Sequence, residues 1–191
     1  MSRDKKAVLI AGLFVLTAFL LFAATVFIVR WPNSRLGAIE QYAVYSAYLE
    51  SEITENFHDY GNRRGFVLLI QDRTTPARIA APQFRRLKTD APTLQDATLM
   101  NFVAESLVSR VLAKRFRLPV NYELLSEGQL VKPGSYAEYV TVSRVGFNKD
   151  LSQALFYTEH ICGLCGGGGY VLMERRFGQW RVKAFLSTWV S

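Results

Sequence analysis

Apolar residues recur along this chain in three different rhythms. Positions 7 to 29, AVLIAGLFVLTAFLLFAATVFIV, form a run of 23 residues without a charge. At about 1.5 Å of rise per residue, such a helix crosses a hydrocarbon core of about 30 Å. Between 37 and 57 the steps become three and four: Ile39, Tyr42, Ala43, Ser46, Leu49, Ile53 and Phe57 draw the stripe of an amphipathic helix. From residue 121 onward the period is two, which belongs to strands.

Punctuation between these runs predicts the remaining elements. Gly65-Phe-Val-Leu-Leu-Ile70 reads as a short buried strand, and the basic stretch 71–92, with Pro76, Pro82 and Pro92, as loop with one short helix around Gln83 to Lys88. Thr93-Leu-Gln-Asp96 has the capping pattern that opens a second long helix, with Leu99, Phe102, Val103, Leu107, Val111 and Leu112 on its apolar face and Pro119 as its stop. Asn121–Leu125 is a candidate strand, followed by four more segments, 137–147, 153–159, 170–176 and 180–190, joined by hairpin-type connectors. In the last, Trp180, Val182, Ala184 and Leu186 alternate with Arg181 and Lys183, so one face is buried. The expected fold is α+β: one N-terminal transmembrane helix, then two main helices packed on a curved antiparallel sheet that ends in a four-strand meander.

The apolar run is too long for the core of a cleavable signal peptide, about 7–15 residues, and it ends in Val29-Arg30-Trp31 instead of small residues. It reads as an uncleaved signal anchor. Arg3, Lys5 and Lys6 before it, against Arg30 and Arg35 after it, favour a cytoplasmic N-terminus, and Trp31 suits the headgroup region. The expected organisation is a cytoplasmic tail at 1–6, the anchor at 7–29, a juxtamembrane linker at 30–36 and an exported globular domain at 37–191. The expectation is a single-pass protein of the cytoplasmic (inner) membrane, held by the bilayer through residues 7–29, with other membrane-protein subunits as partners.

Charge changes this picture little. The net charge of +7 gathers at Arg63-Arg64, at Arg85-Arg86 with Lys88, and at Lys114-Arg115 with Arg117. An exported location argues against nucleic acid as partner, leaving anionic lipid, glycan or acidic protein, or simply the solvated faces of a basic domain.

Both cysteines lie in His160-Ile-Cys-Gly-Leu-Cys-Gly-Gly-Gly-Gly-Tyr170. A thioredoxin-type site needs its first Cys at a helix N-terminus, and the flanks here read as strands. Tetrahedral zinc needs four ligands, of which only His160 and the distant His58 accompany the pair. The favoured reading is a structural Cys162–Cys165 disulfide in an oxidising compartment. The glycine-rich rim formed by His160, Gly166, Gly167, Gly168 and Gly169 is then a candidate contact loop. No catalytic residue, metal site or cofactor is indicated: His58-Asp59 and Tyr157-Thr-Glu159-His160 cluster polar groups without a nucleophile or paired acids. Tyr42, Tyr45, Tyr48, Phe156, Phe185 and Trp189 either line a pocket or fill a core.

Ser143-Arg-Val-Gly-Phe-Asn148, the Cys162-Gly-Leu-Cys-Gly-Gly-Gly loop and Gly178-Gln-Trp-Arg-Val182 form an ordered series. With it the last hundred or so residues resemble a family of uncharacterised bacterial membrane-anchored proteins with the pattern SRVGFN…CGxCGxG…GxWxV. That resemblance implies no activity. More loosely, a membrane helix followed by helices on a curved sheet is similar to the nuclear-transport-factor-like cone domains of type IV secretion inner-membrane subunits, which implies an accessory or interaction role. Alternatives are a small-ligand-binding or enzymatic cone, or thiol–disulfide or metal chemistry at the cysteine pair.

Overall fold

A computed structural model describes residues 36–55, 66–77, 79–130, 138–162 and 165–191. The expected span 7–29, Phe57, the His58-Asp59 pair and Arg63-Arg64 lie outside the described residues. Among the described residues no helix is long and apolar enough to cross a membrane. The described residues from Ile39 onward belong to one compact unit.

The elements run α1 (Leu36–Glu55), β1 (Val67–Gln71), α2 (Ala81–Asp90), α3 (Asp96–Glu105), β2 (Asn121–Leu125), α4 (Glu127–Leu130), β3 (Glu138–Val142), β4 (Gly146–Phe147), β5 (Gln153–Cys162), β6 (Cys165–Arg176) and β7 (Gln179–Val190). The fold is α+β. Among the described residues seven strands make a single sheet in the order β2-β1-β3-β5-β6-β7, with the short β4 also paired to β5. The C-terminal meander is present: β3, β5, β6 and β7 are consecutive antiparallel neighbours. The sheet as a whole, however, is mixed and not antiparallel. β1 runs parallel both to β2 (Val67 opposite Asn121) and to β3 (Leu69 opposite Tyr139). The chain between β1 and β2 carries α2 and α3, and a long helical crossover is what parallel pairing requires.

Helices cover both faces of this sheet. On one side α1 contributes Val44, Tyr45, Tyr48, Leu49 and Ile53 to a core with Val140, Val142, Phe156, Val171 and Met173. On the other, Leu87 of α2 and Leu99 and Phe102 of α3 pack on Leu155, Tyr170, Leu172 and Leu186. Residues alternate between the two cores along β5, Leu155 toward α3 and Phe156 toward α1, so the middle of the sheet is apolar on both sides. The edge strand β7 is blunted by Arg181 and Lys183 and by register breaks beside Gly168/Gly169 and Leu172/Met173.

Two helices differ from the pattern read off the sequence. In α1 the expected stripe holds only in its second half: Ser46, Leu49 and Ile53 are buried, but Ile39 is 62 % exposed and Ala43 is exposed, while Tyr45 and Tyr48 are buried beside them. Tyr45 tolerates full burial because its hydroxyl donates to the Ser143 carbonyl at 2.5 Å. The second long helix stops at Glu105, well before Pro119, and begins after Gln95 without a side-chain cap, so the Thr93 capping box is not formed. Leu107 and Val111 are 53 % and 65 % exposed instead of lining a helix face. Tertiary acceptors outbid the helix here: Leu112 N–H donates to Asp72 O at 2.7 Å, Ala113 N–H to the Tyr42 hydroxyl at 2.7 Å, and Arg117 N–H to Ser46 Oγ at 2.9 Å. These bonds hold the segment extended while Leu112 and Phe116 sink into the α1-side core.

Candidate functional site

The cysteine hairpin is tighter than a loop. Cys162 closes β5 and Cys165 opens β6, the two are opposite each other in the ladder, and they are joined by a disulfide. Gly166, Gly167, Gly168 and Gly169 therefore lie within β6, between β5 and β7, and not on a free rim.

Register explains the glycines. Glu159 of β5, Gly168 of β6 and Trp189 of β7 stand in one row across the sheet. The missing side chain at Gly168 lets the Trp189 indole reach over the middle strand: its Nε1 donates to the Tyr157 hydroxyl at 3.1 Å and toward Glu159 Oε1 at 3.3 Å. Tyr157 in turn donates to Glu159 Oε1 at 3.0 Å and lies 3.3 Å from Thr188 Oγ1, which donates to Gly168 O at 2.9 Å. A Cβ at Gly168 would stand 2.5 Å from Trp189 Nε1 and 2.7 Å from the Tyr157 hydroxyl. Gly169 is restricted by backbone, since a Cβ there would approach Leu186 O to 2.6 Å. Burial is the main cause that raises the Tyr157 hydroxyl above its ordinary pKa, with the Glu159 charge pushing the same way and the Thr188 and Trp189 hydrogen bonds opposing it. Burial, with Tyr157 beside it, pushes Tyr170 up to about 12.

His160, one residue on, faces the opposite side of the sheet. Its Nε2 is 2.8 Å from Glu138 Oε1 on the neighbouring β3. The polar run Tyr157-Thr158-Glu159-His160 is thus divided between two faces and does not converge on one point. Among the described residues no group of three or more His, Cys, Asp or Glu is arranged to hold a metal ion. The expected aromatic group divides as well. Tyr42, Tyr45, Tyr48 and Phe156 interlock with Phe116 at ring separations of 5.3 to 6.3 Å in the α1-side core, whereas Phe185 and Trp189 belong to β7.

Ser143 to Asn148 works as a clamp between helices and sheet. Ser143 N–H donates to Tyr157 O and Ser143 Oγ accepts the Tyr157 N–H, both at 2.8 Å. Arg144 forms an ion pair with Glu105 in the last turn of α3, with both side chains largely buried. Gly146 is pressed against the α3 backbone at Phe102, and Phe147 N–H donates to Asn101 Oδ1 at 2.8 Å. Asn148 Oδ1 accepts the N–H groups of Ser152 and Gln153, while its Nδ2 donates to Gln95 Oε1 at 3.0 Å. The Ser143 side chain thus ties the segment to β5, Arg144 ties it to α3 and Asn148 to the turn into β5, while the Ser143 carbonyl accepts from Tyr45 of α1. Similarly, Trp180 of the Gly-x-Trp-x-Val motif donates to Glu40 Oε2 of α1 at 2.9 Å.

Among the described residues, the outer side of α1 is left uncovered. An open groove of about 1050 Å³ runs along it, lined by Ile39, Ala43, Ala47 and Glu50 on the helix, by Arg115 and Arg117 opposite, and by Trp180 at one end. By contrast, the space between α1 and the sheet beside His160 amounts to about 10 Å³. Ile39 and Ala43 were legible as apolar helix positions, but which side of α1 met the sheet was not. The Trp189–Glu159 reach was hidden because it depends on strand register. No family model, curated protein or solved structure matches the chain.

Proposed function

We propose that this protein is a single-pass, membrane-anchored interaction domain on the outer face of the cytoplasmic membrane, acting as an accessory subunit of a larger membrane complex. The observation that carries this reading is the open groove along α1, whose exposed Ile39 and Ala43 face Arg115 and Arg117. A groove that sets exposed apolar side chains among polar and charged ones, here Glu50, Ser51 and Thr54 on the helix and Arg115 and Arg117 opposite, has the mixed surface character of an interaction site. The uncharged run at 7–29 supports the anchor, and the Cys162–Cys165 disulfide fits an oxidising compartment.

Ligand-binding and catalytic readings have less support. Tyr45, Tyr48, Phe116 and Phe156 fill the space where a cone domain would hold a ligand. The polar groups of the glycine-strand cluster and of the Ser143–Asn148 clamp are engaged with one another. A disulfide at the tip of a strand hairpin lacks the helix N-terminus that lowers a thiol pKa.

The test is native electrophoresis of the protein after mild detergent extraction from its own membranes, alongside an Ile39→Glu/Ala43→Glu variant. A species much larger than the monomer, lost in the variant while the fold persists, is the expected result. A monomer in both samples overturns the proposal.

A further inference from the structure

The turn between β6 and β7 contains an arrangement that folding alone does not favour. Phe177 and Gly178 both have positive φ, 51° and 80°, as the two central residues of a type I′ hairpin turn do. Asn, Asp or Gly usually occupies the first of these positions, because a bulky side chain is strained there. Phe177 is nevertheless a fully exposed aromatic ring at the very tip, 104 % of its reference accessibility, so it gains no packing in return. Strain retained without burial points to a contact outside the domain.

Its surroundings define that contact. Arg175, Arg176, Arg181 and Lys183 flank the tip on the two strands, against the carboxylates of Glu40 and Glu174. Glu40 is engaged by Arg175 Nη1 at 3.2 Å and by Trp180, and Glu174 by Arg176 Nη2 at 3.1 Å and Lys183 Nζ at 4.0 Å, so four cations face two carboxylates and the surroundings of the ring keep a net positive charge. The Glu40 bonds also tie the tip to the first turns of α1. The anchor read from the sequence ends at Val29 and that helix begins at Leu36, so the intervening six residues allow a tether of at most about 25 Å.

We propose that the Phe177–Gly178 turn is a second membrane contact: the Phe177 ring enters the headgroup boundary of an anionic bilayer, and Arg176 and Arg181 lie on lipid phosphates. An aromatic side chain surrounded by cations is the residue set that partitions to this interface. The inference rests on the anchored reading above and adds an orientation to it: the hairpin tip faces the membrane, and the Cys162–Cys165 tip, at the other end of β6, faces away.

The test uses the full chain reconstituted in vesicles of phosphatidylcholine with a third of the lipid as phosphatidylglycerol, and in vesicles of phosphatidylcholine alone. An environment-sensitive fluorophore is attached at Phe177→Cys or, as control, at Val190→Cys, an exposed position paired with Gly167 near the disulfide end. The expected result is emission at 177 that is blue-shifted and quenched several-fold more by spin-labelled lipid than at 190, most strongly in the anionic vesicles. Adding Arg176→Glu to the 177-labelled protein should weaken the quenching. Equal quenching at 177 and 190 in protein that floats with the vesicles overturns this inference alone. A blue shift at 177 that spin-labelled lipid does not quench assigns the tip to a protein partner and also overturns it. Protein that does not float at all removes the anchored reading and this inference together.

Discussion

Replacing Gly146 by Ala adds one methyl group at the place where sheet and α3 are in closest contact. A Cβ there would stand under 3.0 Å from the backbone nitrogen and Cα of Phe102, closer than Cβ atoms are found to any neighbour. The obstacle is helix backbone and not the end of a flexible side chain, so α3 has to retreat by about an ångström to regain van der Waals distance. Overpacking of this kind costs about 1–3 kcal/mol. The same retreat stretches the 2.8 Å bond from Phe147 N–H to Asn101 Oδ1, a loss of about 1 kcal/mol. For a domain of about 150 residues each kcal/mol lowers Tm by about 2–4 °C, so a fall of roughly 5–15 °C is expected. The assay is thermal unfolding of the full chain in detergent, followed by near-ultraviolet circular dichroism. Gly128→Ala is the control: nothing lies within 4 Å of its Cβ position in α4, and there the change should leave Tm unaltered or slightly raised. A Gly146→Ala protein that melts within about 2 °C of the parent, less than 1 kcal/mol at this size, refutes the clamp geometry.

Two further expectations concern the glycine strand and its tyrosines. Gly168→Ala should displace the Trp189 indole from Tyr157 and Glu159, costing about 1–3 kcal/mol and shifting the Trp189 emission, whereas Gly167→Ala, whose Cβ meets nothing closer than 3.4 Å, should be near neutral; equal effects in urea unfolding refute the cross-strand reach. Burial raises Tyr45, Tyr48 and Tyr170, the last to about 12, so the unfolded chain releases these protons near pH 10 before the folded one does. Their contribution to stability is complete below pH 10 and is lost as the pH rises through the folded values. The urea midpoint should therefore fall between pH 9 and 11, and less so in Tyr170→Phe; a midpoint that does not move in either protein counts against the burial of these hydroxyls.

Much of the architecture was legible because it is written in local periodicity. The period-two segments after residue 137 became β3 to β7, and the residues 153–159 and 170–176 were extended by the structure to meet at the cysteine pair. The pairing within the meander was legible from its hairpin connectors, but the partners of β1 and β2 were not. That β1 adds to the meander in parallel, with β2 outside it, depends on where the crossover through α2 and α3 lands, and no residue of Val67–Gln71 specifies it. The end of α3 was misjudged for a related reason: Leu107, Val111 and Leu112 continue a helical pattern, but the distant oxygens of Asp72, Tyr42 and Ser46 compete for the backbone N–H groups of that segment.

The glycine-rich stretch divides the two kinds of information. By itself the sequence determined the 23-residue uncharged run, the strand character of the flanks and the proximity of two cysteines close enough to bond. Only the tertiary structure decided why four glycines follow: Gly168 sits between Glu159 and Trp189, residues nine positions before and twenty-one after it, and must be bare for the indole to cross. The same holds for Phe177, an ordinary aromatic in the sequence that the hairpin geometry turns outward at positive φ. Periodicity reports which face of an element is apolar because side-chain direction is a local property of the backbone. Register, crossover and the choice of which apolar face stays uncovered are set by competition among distant partners, and that competition is settled only when the chain is folded.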